Sequence, residues 1–202
     1  MLKFILNKTK ALQKIHAEVM ALKESPLYEY RTSNGYLPVS GEGSPDANIM
    51  LVGEAPGKNE AKTGRPFCGA AGKVLDKLLE HVKMPRESIY ITNIVKDRPP
   101  ENRDPTPGEI AIYGPFLDRQ IDAIQPKAIV ALGRYSMEYL MKKFNLEADL
   151  EPIGKAHGKS YRAAASYGAI DIVILYHPCV AVYNPNNLPK LKKDIEILNK
   201  YK

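Results

Sequence analysis

The chain predicts an α/β fold: a three-layer α/β/α sandwich with a four-stranded parallel central sheet. Three observations carry that prediction. Four short apolar runs are bounded by turn residues, segments with helical periodicity lie between them, and no internal repeat or low-complexity tract competes. The segment up to about Leu22 places Leu, Ile and Val at helical spacing, and Ser25-Pro26 interrupts it. A polar stretch with Gly and Pro follows, from Tyr30 to Ala47. Ile49-Met50-Leu51-Val52 then runs into Gly53, as a strand buried on both faces does. Ile89 to Val95, Ala128 to Leu132 and Ile170 to Leu175 repeat the pattern. Helices are expected at about Gly69 to Val82, Thr106 to Ile124, Ser136 to Phe144 and Leu188 to Tyr201.

At 202 residues, one domain spanning 1–202 is expected. Hydrophobic content of 44% and charged content of 26% point away from both disorder and a membrane protein. No apolar run approaches the roughly 20 residues that cross a bilayer. The opening MLKFILNKTKALQKIHAEV has no small-residue cleavage site, so a cytoplasmic location is expected. No segment reads as a dimerisation heptad, which makes a monomer the expectation. A net charge of +6 favours anionic partners such as nucleic acid, although many proteins that never touch nucleic acid share it. Two cysteines, Cys68 and Cys179, are too few for a disulfide scaffold or a Cys-only metal site.

In an open parallel sheet, ligands bind beyond the carboxyl ends of the strands. There the sequence places Gly53-Glu54-Ala55-Pro56-Gly57, Thr92-Asn93, Gly133-Arg134-Tyr135 and Tyr176-His177-Pro178. The first loop, Gly53 to Lys73, holds five glycines and two prolines but neither GxxxxGK[ST] nor GxGxxG, so a phosphate loop is unsupported. Its composition fits backbone folded close around a small planar ligand, with Glu54, Ala55, Glu60 and Phe67 available to line it. A tight strand-to-helix loop stabilised by Arg65 is the plainer alternative.

The loop GEAPGKNEAKTGRPFCGAAGK resembles the first signature of the family 4 uracil-DNA glycosylases, the thermostable bacterial and archaeal group. Ile91 to Lys96 with Arg98 to Pro107 resembles that family's second block. Ile129 to Tyr135 resembles its third strand and turn, and Tyr176-His177-Pro178 with Tyr183-Asn184-Pro185 its final signature. The similarity runs from about Gly41 to Pro185 in the family's order.

The resemblance implies a base-excision repair hydrolase that takes uracil-containing DNA as partner, flips the base into a pocket, and cuts its N-glycosidic bond to leave an abasic site. It implies Phe67 as the stacking platform, or otherwise a plain core phenylalanine. Asn93 can offer its NH2 to uracil O4 and its carbonyl oxygen to N3–H, a pattern that cytosine mismatches; an Asn at a strand end also serves as a turn residue. His177 would donate to O2 of the departing anion, which a neutral imidazole can do. Glu54 first and Glu60 second are the carboxylates for the water or the sugar cation, Glu60 otherwise pairing with Arg65 or Lys62. Tyr183 stands where relatives insert a residue into the base stack. Lys155, Lys159, Arg162, Arg98 and Arg103 are candidate phosphate contacts, or a solvated charge cluster.

The resemblance also implies an iron–sulfur cluster on four cysteines, and here the sequence departs. Leu22 and Ser25 stand for the N-terminal pair, and Asp97 and Tyr113 for the second pair. Leu and Tyr cannot act as a thiolate set, so a cluster-free enzyme with no metal is expected, with Leu22 and Tyr113 filling the volume. Rival readings are a glycosylase for another deaminated base such as hypoxanthine, a non-catalytic uracil-DNA-binding module, and an unrelated nucleotide-binding α/β domain.

Overall fold

The computed structural model describes residues 2–202, with side chains from residue 7 onward. Its centre is one mixed sheet. Strands β1 (Glu42–Gly43), β2 (Ile49–Gly53), β3 (Tyr90–Asn93), β4 (Ala128–Leu132), β5 (Ser160–Ala165) and β6 (Gly168–Leu175) are arranged in the order β1-β3-β2-β4-β6-β5. The expected four parallel strands form its middle: β3, β2, β4 and β6 pair in parallel register, with Gly53 opposite Asn93 and Leu132 opposite Leu175. The sheet nevertheless has six strands rather than four. Antiparallel β1 and β5 close its two edges.

Alternation along the middle strands divides the core. Leu51, Ile91, Val130 and Val173 face one way and pack on Leu75, Leu78 and Leu79 of α4 (Ala70–His81), and on Leu191 and Ile195 of α9 (Leu188–Ile195). Met50, Val52, Ile129, Ala131, Ile172 and Ile174 face the other way. They pack on Leu117, Ile121 and Ile124 of α5 (Pro107–Ile124), and on Met137, Leu140 and Met141 of α6 (Arg134–Lys143). Burial on both faces is why these strands are continuous apolar runs. The long α1 (Leu2–Met20) lies outside α5, with Ile15 and Val19 against Tyr113.

Helix boundaries follow local chemistry. Thr106 and Glu109 form a capping box: Thr106 Oγ1 accepts from the Glu109 N–H at 3.2 Å, the Glu109 carboxylate accepts from the Thr106 N–H at 2.8 Å, and Pro107 takes the first turn. The helix expected from Ser136 begins at Arg134, directly after Gly133 at φ +103°. The last helix is α-helical to Ile195 and tightens to a 3₁₀ helix from Glu196 to Tyr201. Four short helices were not expected: α2 (Tyr28–Ser33), α3 (Lys58–Thr63), α7 (Ile153–Ala156) and α8 (Cys179–Tyr183). The strand expected to reach Val95 ends pairing at Asn93. Beyond it, the N–H groups of Ile94 and Val95 donate to the carbonyls of Gly53 and Glu54, both at 3.0 Å, bending the chain over the tip of β2. Among the described residues, no helix is long and apolar enough to cross a membrane.

Candidate active site

Parallel strands end at one edge, so the loops after β2, β3, β4 and β6 meet there around a pocket of about 530 Å³. Glu54, Ala55, Glu60, Phe67, Asn93 and His177 all line it. Residues spread over more than half the chain are thus brought to one place by sheet topology.

Gly53 is the hinge of this arrangement. A Cβ there would collide with Asn93 Oδ1 and come within 2.8 Å of Phe67 Cζ, so only glycine lets ring and amide close over the strand tip. Phe67 is buried and holds φ at +47°, a left-handed conformation that is strained for an aromatic residue. Its ring centroid lies 5.6 Å from that of His177, with 33° between the planes. Asn93 is 2% exposed, and no hydrogen bond among the described residues uses its side-chain amide. An amide without a protein partner, with its polar atoms open to the pocket, offers a donor and an acceptor to a ligand's edge.

His177 packs against Gly133, where an added Cβ would sit 3.1 Å from the His177 Cβ. Its Nδ1 accepts from the Cys179 N–H at 3.1 Å, which puts the ring proton on Nε2. Burial pushes the imidazole down to about 4, with Glu60 opposing the shift. The neutral ring therefore presents one N–H donor near pH 7.

The two glutamates separate. Glu60 Oε1 accepts from the N–H groups of Cys68 (2.9 Å) and Gly69 (2.7 Å), at the start of α4. That pair ties the loop carrying Phe67 to α3. Glu54 is partly buried and forms no ion pair among the described residues. Burial first, and the Asp104 carboxylate second, lift it to about 7 against the pull of Arg134. Asp104 and Arg134, which sequence reasoning gave no role, stand at the pocket mouth; Asp104 accepts from the Tyr135 hydroxyl at 2.5 Å. Their position directly after a strand and inside the second signature was the available signal.

Tyr183 is 87% exposed at the end of α8, on the pocket rim. Of the proposed phosphate contacts, Arg98 is 9% exposed, and its guanidinium donates to Asn102 Oδ1 (2.8 Å) and the hydroxyls of Tyr30 (2.8 Å) and Tyr36 (3.3 Å), bracing the loop. Arg103 lines the pocket while gripping both oxygens of Glu109. Lys155 is exposed on α7, next to Gly154, where a Cβ would stand 3.7 Å from the Tyr176 hydroxyl. Lys159 pairs with Glu151, and Arg162 with Asp171 on the sheet edge; neither lines the pocket.

The four positions where the resemblance implies cluster cysteines do not fit an iron–sulfur cluster. Ser25 Oγ lies 2.6 Å from the Tyr113 hydroxyl, which donates to Asp97 Oδ2 at 2.5 Å, and Arg31 reaches the same carboxylate at 3.1 Å. All four side chains are buried, and Leu22 packs beside them. Their polar atoms satisfy one another and supply no thiolate. Cys68 and Cys179 stand elsewhere, Cys68 near Glu60 and Cys179 on the pocket wall. Among the described residues, no group of three or more His, Cys, Asp or Glu could hold a metal ion.

Comparison with known proteins agrees with this geometry. Residues 40–200 match the family model described as the Uracil DNA glycosylase superfamily. The chain is 46% identical over 187 residues to a type-4 uracil-DNA glycosylase of Sulfurisphaera tokodaii, covering 92% of this chain and 82% of that protein. It is 38% identical over 187 residues to one of Archaeoglobus fulgidus, covering 93% and 91%. A type-5 uracil-DNA glycosylase of Thermus thermophilus is more distant, at 33% identity over 139 residues, with 61% of this chain and 62% of that protein covered. With its pocket built on the tips of the parallel strands and four-fifths of its length matched, the chain belongs to the uracil DNA glycosylase superfamily.

Proposed function

We propose that the protein is a monofunctional uracil-DNA glycosylase that works as a single-domain monomer in the cytoplasm, without an iron–sulfur cluster. The carrying observation is the convergence of Phe67, Asn93 and His177 on one pocket, with the Asn93 amide unpartnered. An extruded uracil would stack on Phe67, with O4 and N3–H reading the Asn93 amide. As the C1′–N1 bond breaks, its electron pair goes to the base and leaves positive charge on the sugar. The Nε2–H of neutral His177 donates to O2 of the uracil anion. Glu54, ionised, faces the sugar cation and orients the water whose oxygen bonds to C1′, while the water's proton ends on the released base. Glu60 has the supporting role, since one of its oxygens is committed to the backbone. Tyr183 wedges the strand that the base has left, and Lys155 and Arg103 meet phosphates.

Oligonucleotides carrying a single uracil, hypoxanthine or mismatched thymine, treated with protein and then alkali, test the reading. Cleavage at uracil by wild type, with loss of at least about 10²-fold in Asn93→Ala and His177→Ala, is the expected result. Cleavage confined to hypoxanthine would shift the substrate, and tight binding without base release would make the chain a binding module. Purified protein should carry no stoichiometric iron and no broad visible absorption; finding both refutes the cluster-free assignment.

A further inference from the structure

Lys96 is the anomaly of the buried interior. It is completely buried, yet its ammonium lies within ion-pair distance of no carboxylate among the described residues. Its three hydrogen bonds go to neutral oxygens: Thr92 Oγ1 at 2.8 Å, the Asn93 carbonyl at 2.7 Å and Gln120 Oε1 at 2.6 Å. Gln120 is itself held, donating to the carbonyl of Ser40 and to the Tyr90 hydroxyl. Desolvation presses the amine down to about 7, against the distant pull of Asp118. An apolar side chain would fill this volume without that penalty, so the fold alone does not account for a lysine.

What the ammonium touches does account for it. The peptide joining Asn93 to Ile94 is pinned from both sides, its N–H donating to the Gly53 carbonyl at 3.0 Å and its C=O accepting from Lys96. That peptide follows directly on the Cα from which the Asn93 amide projects into the pocket.

We propose that Lys96 is a positioning residue of the glycosylase site: by locking the 93–94 peptide it sets the direction in which the Asn93 amide meets the pyrimidine edge. The inference rests on the reading of Asn93 as the base-recognising residue. Lys96 itself touches no substrate. A misplacement of about 1 Å in a positioning group costs on the order of 10²-fold in rate.

Single-turnover uracil excision is measured for wild type, Lys96→Met, Lys96→Arg, Asn93→Ala and the Lys96→Met/Asn93→Ala double variant, alongside affinity for undamaged DNA and thermal melts. Lys96→Met should lose about 10²-fold in rate with affinity for undamaged DNA unchanged. Lys96→Arg, which keeps a charged donor, should recover most of the loss. In the Asn93→Ala background the lysine substitution should add nothing, because both act through one amide. A folded Lys96→Met within about threefold of wild type, or the same loss in both backgrounds, overturns the proposal. Should Lys96→Met not fold, Lys96→Gln takes its place with the same criteria. Wild type that releases no uracil removes the underlying function, whereas active wild type with an unaffected lysine variant removes this inference alone.

Discussion

Glu54→Gln separates what the Glu54 charge does for catalysis from what it does to stability. Burial and the Asp104 carboxylate lift the group from 4.5 to about 7. A tenfold change in proton affinity is about 1.4 kcal/mol, so ionising Glu54 costs the folded state about 3 kcal/mol, reduced to about 2 by the water that reaches this partly exposed carboxyl. The sign follows from proton counts. The unfolded carboxyl loses its proton near 4.5 and the folded one near 7, so between those values the folded state holds more protons and stability falls as pH rises. Excision moves the other way, because the ionised form faces the sugar cation, and the rate should climb through the same window. His177, held down to about 4, contributes no limb above pH 5. The glutamine variant is neutral throughout. Its thermal midpoint should match wild type at pH 4.5 and exceed it at pH 8 by about 4–8 °C, while excision at pH 8 falls by about 10²-fold and loses its dependence on pH. Calorimetry and single-turnover assays across pH 4.5 to 8 check both curves. Equal melting at pH 8, or a wild-type rate that is flat from pH 5 to 8, would refute the assignment of the raised carboxyl to this residue.

Gly53→Ala should leave the sheet folded but abolish excision, because its methyl meets Asn93 and Phe67 at the strand tip; a folded variant with normal activity would show that the two side chains need not close there. Tyr183→Ala should depress excision from duplex DNA by about tenfold and from single strands much less, since the exposed ring has a vacated stack to fill only in the duplex; equal effects on both substrates would reassign it to simple contact. Tyr113→Phe removes the hydroxyl shared by Ser25 and Asp97, leaving Ser25 Oγ with the Leu27 N–H and Asp97 with Arg31 as their remaining partners. About 2 kcal/mol should be lost, read as a drop in urea midpoint with unchanged slope. An unchanged midpoint would mean that the network is not fully formed.

The middle of the sheet was legible because β2, β3, β4 and β6 are buried on both faces and therefore written as apolar runs. The edges were not. Strand β5, Ser160–Ala165, alternates exposed and half-buried positions with Ser, Arg and Ala, and β1 has two residues, so neither leaves a hydrophobic trace. Asn93 and His177 were readable because one ends a strand and the other follows one, and Phe67, in the turn between α3 and α4, because it sits in a recognisable motif. Glu60 was not divisible from Glu54, since its partners are backbone N–H groups of Cys68 and Gly69, which no side-chain pattern announces. The Arg98 network was hidden for a related reason: its acceptors include Tyr30 and Tyr36, over 60 positions earlier. Lys96 shared that invisibility, because Gln120 approaches it from α5.

The chain Ser25–Tyr113–Asp97–Arg31 ties down the start of a loop that lines the pocket. Arg31 donates to the carbonyls of Val19 (3.1 Å) and Met20 (2.8 Å), at the end of α1, where helix carbonyls lack intrahelical partners. It also grips Asp97, and Tyr113 brings α5 to the same carboxylate. Helices α1, α2 and α5 are thereby fixed to one residue. Asp97 is the last fixed point before the loop from Arg98 to Asp104, which contributes Pro99, Asn102, Arg103 and Asp104 to the pocket. Apolar residues would fill the same volume but would set no direction, whereas a fully satisfied hydrogen-bond chain does. Burial raises the Asp97 carboxyl, and the Tyr113 hydroxyl and Arg31 hold it back towards the ionised form. The restraint on the loop therefore depends on every member being present, and loss of any one should loosen the pocket wall as well as the fold.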